Sequence, residues 1–181
     1  MGLKKDHLGI SVEPFGLRIS VPRDGFTEQN MTVLRQMLLS KGKLIQKALG
    51  ANSMDVILTE NRVLFPWFSE LPQDLDIQSC LCLISALYKR AASGKPAPQL
   101  RDYESERYTF NRFLTTLELD GPKYQNTRKE LMKKLSGTVP FPDKASAEAF
   151  YRDRGKRKQN DVKNTDWGFE SEKWSSDDEE Y

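Results

Sequence analysis

The sequence has few of the side chains from which catalytic and metal-binding sites are usually built. Its 181 residues include one histidine, His7, and two cysteines, Cys80 and Cys82. His7 stands close to the start of the chain, where we expect an exposed side chain on a strand edge. The cysteines are two positions apart, so on a helix they face different directions and suit neither a disulfide nor a metal site. We therefore expect no metal, no cofactor and a reducing compartment.

Motifs of common enzymatic chemistry are also missing. The chain contains no GxSxG, HExxH, CxxC or Walker sequence. A Gly-Lys pair at positions 94–95 lacks the upstream glycine of a phosphate-binding loop, and Pro96 follows it directly. With so few nucleophile and ligand candidates, we expect a protein that binds a macromolecule and has no small-molecule substrate. An enzyme of unrecognised type is the least favoured alternative.

Long apolar runs are absent as well. No stretch approaches the roughly 20 apolar residues that a membrane-spanning helix requires, and the first ten residues lack the apolar core of a signal peptide. The chain is 38% hydrophobic and 30% charged, which is typical of a soluble protein with a modest core. We therefore expect a cytoplasmic protein that makes no membrane contact.

The formal net charge of +2 conceals an uneven distribution of charge along the chain. Residues 143–181 hold 8 Lys/Arg against 11 Asp/Glu, so residues 1–142 carry a net charge of +5. Within the C-terminal part, residues 150–163 carry +4 and residues 165–181 carry −6. We predict one domain over residues 1–141 and a charged, largely disordered tail over 142–181. A basic body favours an anionic partner.

The strongest periodic pattern predicts one long helix, which begins near Thr27 and ends before Gly50. Apolar residues recur at helical spacing, at Leu34, Met37, Leu38, Ile45, Ala48 and Leu49. A glycine directly after the last of them suits the left-handed position that ends a helix. Lys41 falls inside the apolar stripe, and its environment there has two alternative interpretations. Its ammonium either snorkels to water or forms a semi-buried cation that meets a phosphate or a partner's carboxylate.

The patterns in the rest of residues 1–141 predict an α+β fold. Alternating apolar and polar residues indicate strands at 7–12 and 17–21, which form either a hairpin or one kinked strand. A second hairpin is predicted at 54–59 and 62–68. Pro66 indicates that the end of its second strand is a sheet edge or leaves the sheet. Helices are predicted at 77–91, 104–119 and 123–135. This order predicts a small antiparallel sheet packed against the long helix and three further helices. The pattern at 145–158 suits an amphipathic helix, and we expect disorder beyond Gln159.

Basic residues around two of these helices suggest a binding surface. The helices at 104–135 are joined by Asp120-Gly121-Pro122, which outlines a helix-turn-helix whose second helix could enter a major groove. The candidate cations of this pair are Arg107, Arg112, Arg128, Lys129, Lys133 and Lys134. Alternatively, the lysines are merely solvated. The aromatic residues around Arg107 and Arg112 are spaced like residues that face a helix's core side. The two arginines are then the residues of this stretch that could contact a partner.

The tail contributes two further candidate contacts. The basic segment suits phosphate binding through counterion release, with Arg152, Arg154, Lys156, Arg157 and Lys158 as its candidates. The acidic segment combines aromatic and acidic residues, with Trp167, Trp174, Asp177, Asp178, Glu179 and Glu180 as its candidates. It could fold back on the basic segment, dock in a cationic groove of a nucleic-acid-binding protein, or only increase solubility.

Four stretches carry a family resemblance: PRDGFTEQNMTVLRQMLLSKGKLIQKALGANS from Pro22, FPWF at 65–68, ISALYKRA at 84–91 and RKELMKKLSGTVPF at 128–141. Over roughly residues 17–141, the chain resembles the small "virulence-related" proteins of phages, plasmids and conjugative elements of gut Firmicutes. That family implies no catalytic residue. Proteins of similar size from the same setting include phage anti-CRISPR inhibitors of type II effector nucleases, and at least one of these binds both nuclease and DNA.

The resemblance implies a non-enzymatic inhibitor from a mobile element. Its expected partners are a CRISPR effector nuclease with its guide RNA, double-stranded DNA, or both, and it would block target binding or cleavage in the bacterial host. Such a nuclease holds nucleic acid in a positively charged channel, which the acidic tail could occupy. The alternative is a DNA-binding accessory or regulatory protein that uses the helix pair at 104–135.

Overall fold

The structure, a computed structural model, describes residues 9–13, 16–70 and 74–164, with side chains over 17–70 and 74–154. The elements in this part of the chain are, in order, β1 (Gly9–Glu13), β2 (Gly16–Pro22), α1 (Glu28–Leu49), β3 (Ile57–Leu58), β4 (Arg62–Phe68), α2 (Ile77–Ala92), α3 (Glu106–Thr116), α4 (Gln125–Leu131) and α5 (Lys144–Asn164). A short 3-10 helix over Pro122–Tyr124 leads into α4. The predicted α+β class is confirmed.

The four strands form one antiparallel sheet in the order β1-β2-β4-β3. Both predicted hairpins are present, since β1 pairs with β2 and β3 with β4, and the pairing of β2 with β4 joins them. Alternate residues of β2, namely Leu17, Ile19 and Val21, are fully buried, whereas Arg18 is exposed. One face of the sheet therefore supplies the core, as a period of two residues requires.

Pro66 lies in the second half of β4, which is at the edge of the sheet, as the sequence predicted. β3 pairs only with Val63 and Leu64, so the second half of β4 has a neighbouring strand on one side only. The register with β2 also shifts here, since Leu17 pairs with Phe68 but Ile19 pairs with Phe65. Because proline has no N–H to donate, it is tolerated at such irregular positions.

Both ends of α1 follow from local signals. The Thr27 hydroxyl accepts a hydrogen bond from the Asn30 backbone N–H at 3.2 Å, and the Asn30 side chain accepts from the Thr27 N–H at 2.8 Å. This reciprocal pair satisfies two N–H groups that the first turn leaves open. At the other end Gly50 takes a left-handed conformation, with φ of 69°. The predicted start and end of this helix are confirmed.

The core lies between the sheet, α1, α2 and α3. Its largest fully buried aromatic side chains are Phe65, Trp67, Phe110 and Phe113. α2 packs along α1, and the Asn30 amide donates to the Ala91 carbonyl at 2.9 Å near the end of α2. Tyr88 stacks on Phe26 with ring centroids 4.6 Å apart and donates to the Pro22 carbonyl at 2.8 Å. α2 is thereby tied to the sheet as well as to α1.

The helix predicted over 123–135 is shorter than expected. α4 ends at Leu131, and residues 132–134 form a turn, so Lys133 and Lys134 are not on the helix. In a continued helix the Ser136 N–H would bond to the Met132 carbonyl. Instead, the Met132 carbonyl accepts from Leu135 N at 3.2 Å and from Arg107 Nε at 3.3 Å, and Glu106 accepts from Ser136 N at 2.7 Å. A local turn and contacts with α3 therefore replace the helical pattern here.

The other helices differ from the predictions mainly at their ends. α3 covers residues 106–116 of the predicted 104–119, because Ser105 caps its start through a hydrogen bond from Tyr108 N. α5 extends to Asn164, beyond the predicted limit of Lys158. The acidic segment and His7 lie outside the described residues. Among the described helices, none has the length and apolar character needed to cross a membrane.

The segment after α4 is held against the start of α3. The Ser105 hydroxyl donates to the Thr138 carbonyl at 2.6 Å, and its backbone N–H donates to the Pro142 carbonyl at 2.9 Å. Gly137 lies against the same residue with φ of 85°, and a Cβ atom there would be 2.8 Å from Ser105 Cα. Only glycine satisfies both the backbone conformation and the close approach.

We predict that Gly137→Ala destabilises the body by about 2–4 kcal/mol, because positive φ and a backbone clash both oppose the added methyl group. Gly94→Ala is the matched control, since Gly94 has φ of 70° but no atom within 4 Å of the position that a Cβ atom would take. The control should lose only about 1 kcal/mol. Urea unfolding of both variants measures the difference, and equal losses would contradict the clash.

Candidate nucleic-acid interface

The six candidate cations of the α3–α4 region do not form one surface. Arg128 donates to the side chain of Asn111 on α3 and to the Asp120 carbonyl at 3.4 Å. Arg107 donates to the Met132 carbonyl. Both arginines are half-buried, and their hydrogen bonds join α3 to the residues around α4. Their observed role is to hold the two helices together.

The other four candidates are exposed but differ in their surroundings. Arg112 donates to the Tyr108 hydroxyl at 3.4 Å and lies 5.8 Å from the centre of that ring. Lys133 forms an ion pair with Glu130 at 2.5 Å. Lys134 lies next to Gly50, beyond the carboxyl end of α1, where a cation is favourable. Lys129 is exposed, and no described residue forms an ion pair with it.

The length of α4 limits what this helix can do. Its seven residues correspond to about 10 Å, and it packs against α2. The predicted recognition helix therefore does not form at its expected length, and two of its four expected cations lie in the turn that follows. The α3–α4 pair is better described as a joint of the fold than as an element that enters a major groove.

Lys41 is fully buried within the apolar stripe of α1. Its side chain is 1% exposed, so it does not snorkel to water. The ammonium donates to the Leu100 carbonyl at 2.8 Å and forms an ion pair with Asp102, whose side chain is 73% exposed. The carboxylate that it meets is therefore in its own chain. These contacts attach the segment before α3 to α1, and they leave Lys41 unavailable to a phosphate.

Glu106 connects three parts of the chain at the first turn of α3. Its carboxylate accepts from Lys47 Nζ at 2.7 and 2.8 Å, and from the backbone N–H and hydroxyl of Ser136 at 2.7 and 2.8 Å. The hydrogen bond from Lys47, followed by that from the Ser136 N–H, lowers the pKa of Glu106 from 4.5 to about 2. The ionised carboxylate is thus the form that the fold stabilises.

This lowered pKa predicts a pH-dependent contribution to stability. Because the pKa of Glu106 is lower in the folded protein, its contribution is complete above the usual value of 4.5 and is lost as the pH falls towards about 2. Glu106→Gln should cost roughly 1 kcal/mol at pH 7, since the site is partly exposed. The difference from the parent protein should shrink as the pH falls below 4.5.

Urea unfolding at a series of pH values measures this effect. Glu104→Gln is the matched control, because Glu104 is exposed two residues earlier and forms no ion pair with any described residue. A Glu106→Gln cost that is the same at pH 7 and near pH 2 would show that the ionised carboxylate is not what stabilises the joint.

The basic segment of the tail forms most of α5. Residues 150–163 carry six positive and two negative charges, and the whole helix has 21 residues, which corresponds to about 30 Å. Arg152 and Arg154 are exposed. Phe150 and Tyr151 are 50% and 61% exposed, and their rings meet edge to face. α5 is a continuous, strongly cationic helix.

A second basic feature was not predicted from the sequence. Lys89 and Arg90 in the last turn of α2, Lys95 after it, and Lys123 before α4 all line one cleft of about 560 Å³. The packing of α2 against α4 brings these residues together. No local pattern could have identified the cleft, because Lys123 lies more than 30 positions from Lys89. The one available signal was the charge at the end of a predicted helix.

The described residues contain no cluster of three or more His, Cys, Asp or Glu side chains that could hold a metal ion. Cys80 is buried, which raises the pKa of its thiol to about 12, and Cys82 is half-buried on the same helix. No family model matches the chain, and no curated protein or solved structure matches it either.

Proposed function

We propose that this chain is a non-enzymatic protein that binds the phosphate backbone of double-stranded DNA through the basic helix α5. The observation that carries the proposal is that this basic segment forms one continuous helix. Between residues 152 and 163 it has six positively charged residues and two acidic ones. A helix of about 30 Å is long enough to contact several phosphates of a duplex.

The binding should be largely independent of base sequence. Lysine and arginine that neutralise phosphates release bound counterions, and this gain is the same for any sequence. The α3–α4 region is a weaker candidate, because Arg107 and Arg128 are engaged within the fold and Lys133 has an acidic partner. α5 therefore replaces the helix pair as the favoured contact.

Neutralising α5 should weaken DNA binding and its dependence on salt. The variant carries Arg152→Ala, Arg154→Ala, Lys156→Ala, Arg157→Ala and Lys158→Ala. Each lost phosphate contact should reduce the slope of log K against log salt by about 0.9. Fluorescence anisotropy with a labelled duplex at about 50–200 mM salt measures the slope.

The matched control carries Lys129→Ala, Lys133→Ala and Lys134→Ala, which removes exposed charge near α4. It should retain most of the parent slope. If the control loses more slope than the α5 variant, DNA binds at the α3–α4 region. If neither variant changes the slope, the proposed contact is refuted.

A second, more specific function is inhibition of a type II CRISPR effector nuclease by a phage or mobile-element protein. Two observations favour it. Residues 17–141 resemble the virulence-related family, and an acidic, aromatic-containing segment of net charge −6 follows the basic helix in the sequence. The nuclease channel for nucleic acid is positively charged. The acidic segment would occupy that channel in the host cytoplasm while α5 holds DNA.

We expect excess protein to prevent cleavage by a purified type II nuclease loaded with guide RNA. A full-length variant with Asp177→Asn, Asp178→Asn, Glu179→Gln and Glu180→Gln should inhibit less, because it loses four charges that face a cationic channel. Its DNA binding should be kept or strengthened. Full cleavage in excess protein would refute inhibition, and equal inhibition by the variant would refute the role of the acidic end.

A further inference from the structure

The cleft beside α2 has the size of a small-ligand site. It is formed by the last turns of α2 and by the connector between α3 and α4, and its volume of about 560 Å³ falls within the roughly 300–1,000 Å³ of ligand pockets. None of its lining residues belongs to α5. The residues of the cleft are therefore distinct from those of the DNA contact proposed above.

Three lysines at the cleft lack a counterion among the described residues. Lys89, Lys95 and Lys123 are exposed, and no carboxylate in the described part of the chain forms an ion pair with them. Two of them act on the same atom. Burial raises the pKa of the Cys82 thiol, and this rise is opposed first by a hydrogen bond with Thr127 and then by the charges of Lys89 and Lys123. Ammonium groups that converge from two elements create a positive potential that favours an anion.

Arg90 adds a fourth cation that the fold holds in place. Its Nη2 donates to the Pro96 carbonyl at 3.3 Å, which fixes the guanidinium at the cleft. Its Nε is buried, with no acceptor among the described residues. The guanidinium therefore adds a positive charge at the cleft, and no described carboxylate forms an ion pair with it.

Glu118 on the cleft wall has an unusual backbone conformation. Its φ of 61° makes it the one described non-glycine residue with positive φ. It follows the end of α3, where the N–H groups of Glu118 and Leu119 donate to the Thr115 and Leu114 carbonyls, both at 3.0 Å. Glycine is the usual residue at this position. A carboxylate residue therefore stands at the wall of the cleft in a conformation that glycine would adopt more easily.

We infer that this cleft binds a nucleoside phosphate, either as a free nucleotide or as the phosphorylated end of a nucleic-acid strand. Lys89, Lys95 and Lys123 neutralise the phosphate. The carboxylates of Glu118 and Asp120, which also line the cleft, accept hydrogen bonds from sugar hydroxyls or a base amino group. A ligand that is anionic at one end and donates hydrogen bonds at the other satisfies both sets of residues, whereas inorganic phosphate satisfies only the lysines.

Calorimetric titration of the full chain with adenosine monophosphate tests the site. The double variant Lys89→Ala, Lys123→Ala should bind at least tenfold more weakly, because two of the phosphate contacts are lost. Lys43→Ala is the matched control, since Lys43 is exposed on α1, away from the cleft, and it should bind like the parent. No binding at millimolar nucleotide, or equal losses in both variants, would overturn the inference.

Glu118→Gly separates the nucleoside contact from the phosphate contact. The glycine should raise the melting temperature by about 2–4 °C, because it relieves the strain. The advantage of adenosine monophosphate over inorganic phosphate should then shrink, since Asp120 alone remains to accept from the nucleoside, and inorganic phosphate should bind at least as tightly as before because a negative charge is removed. A variant that is more stable and keeps the parent's full preference for the nucleotide over inorganic phosphate would overturn the role of the carboxylate and the nucleoside assignment with it.

Two single-stranded oligonucleotides of equal sequence distinguish the sources of the phosphate. If the 5′-phosphorylated strand binds more tightly than the nucleotide and the 5′-hydroxyl strand does not, the ligand is a strand end. If neither strand exceeds the nucleotide, the ligand is a free nucleotide. The salt slope of duplex binding should be the same in the Lys89→Ala, Lys123→Ala variant, so failure of this site and failure of the α5 contact give different results.

Discussion

The carboxylate of Glu106 joins three segments of the helical part of the structure. It joins Lys47 near the end of α1 to the first turn of α3 and to Ser136 after α4, so three segments distant in sequence meet at one group. Lowering of the Glu106 pKa to about 2 reflects how strongly these donors favour the ionised form. The neighbouring Gly137 allows the last of these segments to approach closely.

The contacts between α3 and the residues around α4 change the interpretation of the nearby basic residues. A short helix, a glycine turn and a cationic second helix are the outline of a DNA-reading unit. In the fold, however, Arg107 and Arg128 serve to attach α4 to α3, and α4 itself has only seven residues. Exposed cations are found on α5 and around the cleft beside α2, as well as at Lys129 and Lys134.

Net charge is accordingly a poor guide to which cations are available to a partner. The excess of +5 in residues 1–142 includes cations that the structure uses internally. Lys41 is buried against Leu100 and Asp102, and Arg62 donates to Ser20 within the sheet. The lysines of the cleft differ because no described acid pairs with them. The cleft is distinguished because three such lysines line one concave surface.

The sequence by itself determined the features that depend on neighbouring residues. Thr27 and Gly50 define the ends of α1 because capping hydrogen bonds and positive φ act within one turn. The two hairpins and the position of Pro66 follow from alternation and from the missing N–H of proline.

Only the tertiary structure decided where α4 ends and which cations face a cleft. The α3 partners of Met132 and Ser136 lie about 25–30 positions away in the sequence, and no periodic pattern records such a pairing. The same holds for Lys89 and Lys123, which line one cleft because α2 packs against α4. Hydrogen bonds and charges act through distance in space, and the sequence specifies that distance directly only for residues a few positions apart.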